Sequence, residues 1–364
     1  MQHAIRLGRK GLYSTDPNPR VGCVIVRDGK IVGEGWHQYA GEGHAEVIAL
    51  EQAGKKANGA TAYVTLEPCS HTGKTPPCAN ALVDAKVKKV VVAMQDPNPL
   101  VAGRGLDKLR RAGIEVECGL LEAQARDLNP GFIKRMETGH PFVRVKLAMS
   151  LDGRTAMASG ESKWISSEAS RNDVQRLRAE SSAILTGIGT VLADDPSMNV
   201  RLSASELGVD KVRQPRRLVL DSQLKISGTA KIIARGKDED EESRCVVYTT
   251  VNVENRHDYP FIIENAQALD GRIDLRLLMK DLADKEVNLL HVEAGSVLCG
   301  ALLKDGLVDE IIIYMAPHIM GDGAKGLFSL PGLEKMKDRV TLNIKDVRFI
   351  GNDIRMILRP DSNV

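Results

Sequence analysis

The sequence of 364 residues lacks the features that mark membrane proteins and nucleic-acid-binding proteins. Aromatic residues make up only 4% of the chain and the formal net charge is +2, so neither stacking side chains nor a basic excess point to nucleic acid. No run of apolar residues is long enough to span a bilayer. The first residues, Met1 to Arg6, contain no apolar segment, and we therefore expect no secretory signal.

Cysteine is scarce and does not follow the spacing of a disulfide framework. The chain has six cysteines, and two of them belong to the cluster described next. The other four are scattered, mostly within apolar strand or helix patterns, and we interpret them as buried free thiols, which indicates the reducing cytoplasm. They are Cys23, Cys118, Cys245 and Cys299.

A cluster of metal-ligand residue types extends from His44 to Cys78. His44, Cys69 and Cys78 supply one imidazole and two thiols, and three protein ligands leave a fourth position for water, as in catalytic zinc sites. Zinc makes such a water reactive near neutral pH. Glu46 follows His44 by two residues at the start of a predicted helix, so it can face the site without binding the metal and can carry the proton.

The order of these residues matches a known signature of zinc-dependent base deaminases, His-x-Glu followed by Pro-Cys-x-x-Cys. The chain departs from this signature at one point, because eight residues and not two separate Cys69 from Cys78. Taken singly, a histidine is most often a satisfied surface or core residue, and a cysteine is usually a small apolar residue. Four such residues in this order, close to predicted helix starts, favour a zinc site.

Two glycine loops in the second half follow predicted strands. Gly187-Ile188-Gly189 follows a strand at 183–186, and Gly295 lies between a strand at 287–292 and a helix. Such turns allow backbone N–H groups and a helix N-terminus to bind phosphate. Either loop alone is explained equally well by a tight turn. Two of them in one domain favour a dinucleotide site.

The predicted elements fall into two α/β halves. The first half contains a hairpin at Asp28-Gly29, followed by alternating strands and helices up to one helix at 121–136. This pattern predicts a layered domain whose sheet is largely parallel after the hairpin. We expect the boundary at Gly139-His140-Pro141, which gives two domains, 1–140 and 141–364.

Together these residues resemble the bifunctional riboflavin-biosynthesis deaminase–reductases. The run from Thr65 to Cys78 is very specific to that family, because the eight-residue insert separates it from cytidine and tRNA adenosine deaminases. In the second half, the segments Ser150 to Arg154, Thr190 to Pro196 and Val292 to Gly295 match the family as well. The resemblance therefore covers nearly the whole chain.

The resemblance implies a cytidine-deaminase-like layered α/β domain followed by a dihydrofolate-reductase-like α/β domain. The first, with one Zn²⁺ per chain, would hydrolyse the 2-amino group of 2,5-diamino-6-ribosylamino-4(3H)-pyrimidinone 5′-phosphate. The second would use NADPH to reduce the ribosyl group to ribityl, giving 5-amino-6-ribitylamino-uracil 5′-phosphate. The expected partners are these small pyrimidine ribotides, without nucleic acid or membrane, in a cytoplasmic homo-oligomer that is a dimer or a tetramer.

The resemblance also assigns residues to each site, in addition to the zinc ligands and the catalytic Glu46. The residues assigned to the substrate of the first reaction are Asn18, His37, His71 and Lys74. The residues assigned to the substrate of the second reaction are Ser162, Arg178, Met198, Arg201 and Glu293. The residues assigned to NADPH are Ala148, Trp164, Thr190, Asp194, Ser222, Gly295, Ser296, Val297, Leu298, Cys299, Gly300 and Ala301.

Two other functions are compatible with a zinc site. A deaminase that acts on nucleic-acid bases shares the zinc residues, but it requires a basic face and aromatic stacking residues and leaves the second half without a role. A structural zinc domain fused to a nucleotide-binding module is not an enzyme and requires four protein ligands, of which His71 would be the fourth.

Overall fold

The structure is a computed structural model that describes residues 1–70, 77–99, 101–234 and 243–361. The chain divides into two compact units, Met1–His140 and Pro141–Val364. The last helix of the first unit ends at Gly139, which has a positive φ of 69°, a conformation that glycine adopts readily at helix ends. None of the helices in the described part of the chain is long and apolar enough to cross a membrane.

The N-terminal unit has an α/β arrangement. Its described elements are α1 (Gln2–Gly8), β1 (Gly22–Arg27), β2 (Lys30–Trp36), α2 (Ala45–Ala53), β3 (Thr61–Val64), α3 (Cys78–Asp84), β4 (Lys89–Val92), α4 (Arg104–Arg111), β5 (Glu115–Cys118), α5 (Glu122–Arg126) and α6 (Pro130–Thr138). Within the described ranges the strand order is β2-β1-β3-β4-β5.

The predicted hairpin and parallel strands are confirmed in this sheet. β1 and β2 are antiparallel and are joined through Asp28 and Gly29, whose φ values of 50° and 73° suit a tight two-residue turn. β3, β4 and β5 are parallel to one another. β5 lies at the edge of the sheet, so Cys118 is exposed, and its interpretation as a buried thiol was wrong.

Small residues allow α2 to lie directly on β2. A Cβ atom at Gly33 would lie 2.1 Å from the carbonyl oxygen of Ala49, and one at Gly35 would lie 2.6 Å from that of Ala45. These distances are far below van der Waals contact, so larger residues at either glycine would push the helix away. The close packing fixes the N-terminal end of α2, where His44 is the N-cap residue.

The prediction of one helix at 121–136 was wrong, because two helices, α5 and α6, occupy this region. Pro130 is the first residue of α6 and has no N–H to continue a preceding helix. Asn129 is also held elsewhere: its side chain accepts a hydrogen bond from the N–H of Arg20 and donates one to the Arg20 carbonyl, both at 2.8 Å. The chain therefore turns between the two helices.

The C-terminal unit is built on a second, larger sheet. Its described elements are β6 (Phe142–Ser150), β7 (Arg154–Ala156), α7 (Glu168–Glu180), β8 (Ala183–Gly187), α8 (Ile188–Asp194), α9 (Ala204–Leu207), β9 (Arg216–Leu220), β10 (Cys245–Thr249), β11 (Ile262–Asn265), β12 (Ala268–Leu269), β13 (Arg272–Ile273), α10 (Leu275–Asp284), β14 (Leu289–Val292), α11 (Ser296–Lys304), β15 (Glu310–Ala316), β16 (Lys325–Gly326), β17 (Leu342–Ile350) and β18 (Asp353–Pro360).

The described strands of the main sheet in this unit follow the order β11-β10-β9-β8-β14-β6-β15-β18-β17. The pairs from β11 to β15 are parallel, and β18 is antiparallel to both β15 and β17. The central strands are apolar and buried, as shown by Val145, Leu185, Leu290 and Ile311, each with no exposed surface. Strands buried on both faces are typical of parallel sheets covered by helices.

The order in which the chain adds strands to this sheet reverses between β8 and β14. From β8 it continues to the neighbouring β9, whereas from β14 it passes over β6 to reach β15. In open α/β sheets, a crevice forms outside the carboxyl ends of the strands at such a point, and ligands bind there.

Candidate active sites

His44, Cys69 and Cys78 converge in the N-terminal unit. His44 precedes α2, Cys69 follows β3, and Cys78 is the first residue of α3, with Pro77 as its N-cap residue. The Nδ1 atom of His44 lies 3.1 Å from the sulfur of Cys78 and 3.6 Å from the sulfur of Cys69. All three potential ligand atoms lie within 4.8 Å of one another, a spacing that one zinc ion can bridge.

The two thiols share a proton in a way that suits a metal site. The Cys69 sulfur accepts hydrogen bonds from the Cys78 thiol, from the His44 ring and, at 3.3 Å, from the Cys78 backbone N–H, and these lower the pKa of Cys69 to about 4. The pKa of Cys78 is raised in turn, because its thiol donates to that sulfur. A cation in place of the shared proton would stabilise both thiolates, so the donor set fits zinc.

Glu46 lies in the first turn of α2, with only 3% of its surface exposed. Burial and the neighbouring Cys69 sulfur raise the pKa of this carboxyl group to about 7. The carboxyl group also interacts with the side chain of Cys78. A buried carboxyl group that titrates near neutral pH, in contact with a ligand residue, can accept a proton and release it again.

Asn18 and His37 form a pair beside the zinc cluster. The ring of His37 lies edge-on to the ring of His44, with 5.3 Å between their centroids. His37 Nδ1 lies 3.2 Å from the carbonyl oxygen of Gly43 and must donate to it, so Nε2 accepts from the Asn18 amide at 3.1 Å. Burial lowers the pKa of His37, which keeps this ring neutral. His71 and Lys74 lie outside the described residues.

The two glycine loops of the C-terminal unit meet where the chain reverses direction. Gly187 precedes α8 and Gly295 precedes α11, at the carboxyl ends of the adjacent strands β8 and β14. A Cβ atom at Gly187 would lie 3.6 Å from the side chain of Leu298, which is on α11. At Gly189 and Gly295 a Cβ atom would meet no described atom within 4 Å. Two helix N-termini beside open space fit the phosphates of a dinucleotide.

Two buried polar atoms at the same sheet edge have no hydrogen-bond partner within the described part of the chain. They are Oγ1 of Thr186, near the end of β8, and Oδ1 of Asp221, directly after β9. Unpaired buried polar atoms are rare in native proteins, and these two lie beneath the surface of the sheet edge where the glycine loops begin. Sequence reasoning missed both residues, although a polar residue at the end of an apolar strand was a signal.

Arg178 and Glu293 form a buried bidentate ion pair. Nε and Nη2 of Arg178 donate to the two carboxylate oxygens of Glu293 at 2.6 and 3.0 Å. Nη1 of Arg178 donates to the carbonyl oxygen of Asn199, and Nη2 lies 3.8 Å from the sulfur of Met198. Burial lowers the pKa of Arg201, and the positive charge of Arg178 lowers it further. The structure thus brings four residues assigned to the second substrate into one neighbourhood.

Two further basic side chains face Glu293. The ring of His291, which is completely buried, lies 3.4 Å from a Glu293 oxygen, and the Lys146 ammonium group also interacts with this carboxylate. Burial alone would raise the pKa of Glu293, but Arg178 and His291 hold it well below its usual range. Glu293 is therefore an ionised carboxylate. The sequence analysis did not single out His291. The signal for it was the presence of a polar residue within the apolar strand β14.

A second group of predicted residues gathers at the end of α8. The hydroxyl of Ser162 donates to the Asp194 carboxylate at 3.0 Å, and the ammonium group of Lys163 donates to the Asp194 carbonyl at 2.5 Å. The indole of Trp164 is 70% exposed and is covered on one face by the Arg171 guanidinium, 4.5 Å from the ring centroid. This exposed ring beside α8 is available to a ligand.

Three residues assigned to NADPH lie on the elements that surround the glycine loops. Ala148 is on β6, Thr190 is on α8, and Ser222 follows β9. The backbone carbonyl oxygen of Ser222 accepts hydrogen bonds from the hydroxyls of Thr249 and Thr250, which anchors the chain after β9. The residues from Ser296 to Ala301 belong to α11.

Comparisons with known proteins match each unit to a family. Residues 1–94 match the cytidine and deoxycytidylate deaminase zinc-binding region. Residues 141–356 match the RibD C-terminal domain. The match to a zinc-binding deaminase region covers His44, Cys69 and Cys78, and the second match covers both glycine loops.

Similar proteins align over almost the full chain. The riboflavin biosynthesis protein RibD of Escherichia coli (strain K12) is 50% identical, over 97% of this chain and 96% of the relative. The protein of the same name from Haemophilus influenzae is 49% identical, over 99% and 96%. Among solved structures, Acinetobacter baumannii RibD has 48% identity and a TM-score of 0.90, over 99% of this chain and 98% of that one.

A more distant structure is similar in fold along its whole length. The diaminohydroxyphosphoribosylaminopyrimidine deaminase/5-amino-6-(5-phosphoribosylamino)uracil reductase from Thermotoga maritima is 34% identical, with a TM-score of 0.84 over 99% of this chain and 97% of that one. The expected fold classes, a cytidine-deaminase-like unit followed by a dihydrofolate-reductase-like unit, are confirmed. The chain belongs to the RibD family of riboflavin biosynthesis proteins, bifunctional enzymes that join a zinc-dependent deaminase to an NADPH-dependent reductase.

Proposed function

We propose that the chain catalyses two consecutive reactions of riboflavin biosynthesis, one in each unit. Residues 1–140 hydrolyse the 2-amino group of 2,5-diamino-6-ribosylamino-4(3H)-pyrimidinone 5′-phosphate to release ammonia. Residues 141–364 then reduce the ribosyl group to ribityl. The observation that carries this proposal is the convergence of His44, Cys69 and Cys78 around the buried Glu46. The division of the chain between His140 and Pro141 supports the assignment of one reaction to each unit.

In the deaminase reaction, Nδ1 of His44 and the sulfurs of Cys69 and Cys78 would hold zinc, which when bound would make a water molecule nucleophilic near neutral pH. Glu46 takes a proton from the attacking water and gives it to the ring nitrogen next to the carbon under attack. It then takes the proton of the added hydroxyl group and gives it to the amino group, which leaves as ammonia when its C–N bond breaks and the carbonyl forms. Burial of Glu46 supports this role, because it keeps the carboxyl group able to exchange protons at neutral pH.

Four residues bind the first substrate in this proposal. Asn18 and His37 contact the pyrimidine, and their hydrogen-bonded position beside the ring of His44 supports this assignment. His71 and Lys74 bind the phosphate, since cationic donors form strong hydrogen bonds to phosphate oxygens. These last two residues rest on the sequence alone.

In the reductase reaction, NADPH when bound would supply the hydride, and the protein would supply position and charge without a side-chain nucleophile. The glycine loops support binding of the cofactor along Gly295 to Ala301, with Ala148, Trp164, Thr190, Asp194 and Ser222 around it. Arg178 and Arg201 suit the substrate phosphate, and the Glu293 carboxylate suits sugar hydroxyls. Ser162 and Met198 complete the proposed substrate contacts, each within hydrogen-bonding or van der Waals distance of another assigned residue.

Complementation between two variants tests the assignment of one reaction to each unit. Glu46→Gln should release ammonia about 10²- to 10⁴-fold more slowly than wild type but should still oxidise NADPH when it is given the deaminated intermediate. Gly295→Val should release ammonia but reduce poorly. A mixture of the two variants should convert the first substrate to the final product, which neither variant does alone. If Glu46→Gln also failed to reduce the supplied intermediate while remaining folded, the two-site assignment would be wrong.

We also propose that the chain works in the cytoplasm as a homo-oligomer, either a dimer or a tetramer. All six cysteines are free thiols, which suits a reducing compartment. Exposed apolar side chains on the edge strand β17, including Val347 and Phe349, suit contact with a second copy. Light scattering of the purified protein tests the oligomeric state, and a monomer at micromolar concentration would contradict it.

A further inference from the structure

Glu67 is a buried carboxylate that has no part in the chemistry proposed above. Only 4% of its surface is exposed. Its two oxygens accept four backbone hydrogen bonds. Oε1 accepts from the N–H groups of Gly105 and Leu106 at 2.8 and 3.3 Å, and Oε2 accepts from those of Gly103 and Asp96 at 2.9 and 3.2 Å.

These four donors come from two parts of the chain that are distant from Glu67 in sequence. Gly105 and Leu106 lie in the first turn of α4, where backbone N–H groups have no partner within the helix. A carboxylate at this position satisfies these groups and also interacts favourably with the helix dipole. Asp96 and Gly103 lie in the connection that leads from β4 to α4. One side chain therefore fastens both ends of this connection.

The same contacts lead directly to a zinc ligand, because only Pro68 separates Glu67 from Cys69. The backbone N–H of Glu67 donates to the carbonyl oxygen of Met94 at 3.1 Å, which fixes the chain beyond β3. A Cβ atom at Gly105 would lie 2.0 Å from the carbonyl oxygen of Pro68. The N-terminus of α4 thus packs against the peptide group that carries Cys69, and this close approach requires glycine.

We propose that Glu67 is a positioning residue for the deaminase reaction. It holds the N-terminus of α4 against Pro68 and thereby fixes the Cys69 sulfur near His44 Nδ1 and the Cys78 sulfur. This inference rests on the proposed function, because it assumes that these three residues bind zinc. Glu67 should therefore affect metal affinity and the rate constant of deamination, whereas the KM of the pyrimidine should change little.

The test compares Glu67→Gln and Glu67→Ala in the full chain with Glu51→Gln, a substitution of an exposed glutamate in the same unit. We would measure how well each variant retains zinc against a chelator and the sulfur-to-cobalt absorption of the cobalt-substituted protein. We would also measure kcat and KM for ammonia release. Circular dichroism and thermal unfolding report whether the N-terminal unit is folded, and the NADPH-dependent reduction of supplied intermediate reports whether the C-terminal unit is folded. The glutamine side chain keeps one acceptor oxygen, but its NH2 group faces backbone N–H donors. The zinc affinity and kcat of Glu67→Gln should therefore lie between those of wild type and Glu67→Ala.

The expected result for Glu67→Ala is a loss of zinc affinity of about 10- to 100-fold, a shifted cobalt spectrum and a lower kcat. Reduction of the supplied intermediate should be unchanged. Unaltered zinc affinity and an unaltered cobalt spectrum in Glu67→Gln and Glu67→Ala would overturn the inference. The inference would also be overturned if the fraction of unfolded protein fully explained the loss of zinc in Glu67→Gln. If zinc-loaded wild type released no ammonia, the proposed function would fail, and the zinc affinities of the variants would still decide the role of Glu67.

Discussion

The Nδ1 atom of His44 lies 3.1 Å from the sulfur of Cys78, although 34 positions separate the two residues in the chain. Each residue stands at the N-terminal end of its own helix, His44 before α2 and Cys78 at the start of α3. Helix N-termini favour negative charge, so thiolate ligands are stabilised at this position. Because the two helices begin at the same place, one cation can contact an imidazole and two sulfurs.

Cys78→Ser should abolish zinc binding and ammonia release together. Serine supplies a poor zinc ligand in place of a thiolate, so metal analysis should show close to no zinc in the variant. Cys118→Ser is the matched control, because Cys118 is an exposed thiol in the same unit. Both variants should still oxidise NADPH with the deaminated intermediate. Ammonia release by metal-free Cys78→Ser at the wild-type rate would contradict a zinc mechanism.

Glu46→Gln should slow ammonia release by about 10²- to 10⁴-fold, the range in which positioned general acids and bases contribute. The amide cannot carry a proton, but it has the same shape as the carboxyl group, so zinc should stay bound. The measurement combines metal analysis with a continuous ammonia assay. Glu51→Gln, on the exposed surface of α2, should behave as wild type. Normal deamination by zinc-loaded Glu46→Gln would remove this residue from the mechanism.

Gly295→Val should raise the KM for NADPH by about tenfold or more, which corresponds to about 1.4 kcal/mol for each factor of ten. The backbone at Gly295 has a φ of −74°, and its Cβ would meet no described atom, so the substitution should not affect folding. The new side chain instead occupies the space before α11 that we assign to the cofactor. Gly326→Val, at another open glycine in the same unit, provides the control. An unchanged KM for NADPH would place the cofactor elsewhere.

Glu293→Gln should destabilise the C-terminal unit by about 3–5 kcal/mol, because removing one partner of a buried ion pair leaves the other charge uncompensated. The pair is well shielded, with Arg178 and Glu293 side chains only 10% and 11% exposed. Denaturant unfolding at neutral pH measures the effect. Arg178→Met combined with Glu293→Leu should lose much less stability, since neither charge of this pair remains buried. If Glu293→Gln were as stable as wild type, this would contradict a stabilising, buried ion pair between Arg178 and Glu293.

The same pair should make the stability of this unit depend on pH. The pKa of Glu293 is held well below its usual range in the folded protein, so the stabilisation is complete above the unfolded pKa of about 4.3. It should be lost as the pH falls below this value and through the lower folded pKa. The free energy of unfolding of wild type should therefore fall in acid more steeply than that of the double variant. Parallel pH profiles would contradict this linkage.

Local sequence patterns predicted much of the fold, because they act over short distances along the chain. The Asp28-Gly29 turn fixed the first hairpin, and alternation of strands and helices predicted the parallel arrangement after it. The prediction of one helix at 121–136 failed because it continued a single helix through Pro130. The helix break also depends on Asn129 binding to Arg20, a contact across 109 positions that no local pattern reveals.

The candidate sites show the same division between local and long-range information. Residue types and spacing were enough to group His44, Cys69 and Cys78, because few other functions require them in this order. The ion pair of Arg178 with Glu293 joins positions 115 residues apart, and only the family resemblance named both. Glu67 escaped notice for a physical reason: its partners are backbone N–H groups, which have no residue signature.

A two-stage assay with the diaminopyrimidinone ribotide tests the central claim most directly. Ammonia is followed first without NADPH, and NADPH is then added and its oxidation is followed in the same sample. We predict that ammonia appears without NADPH and that one NADPH is then consumed for each ammonia released. If zinc-replete protein released no ammonia, or released ammonia and then left NADPH untouched, the account of two consecutive reactions in one chain would be contradicted.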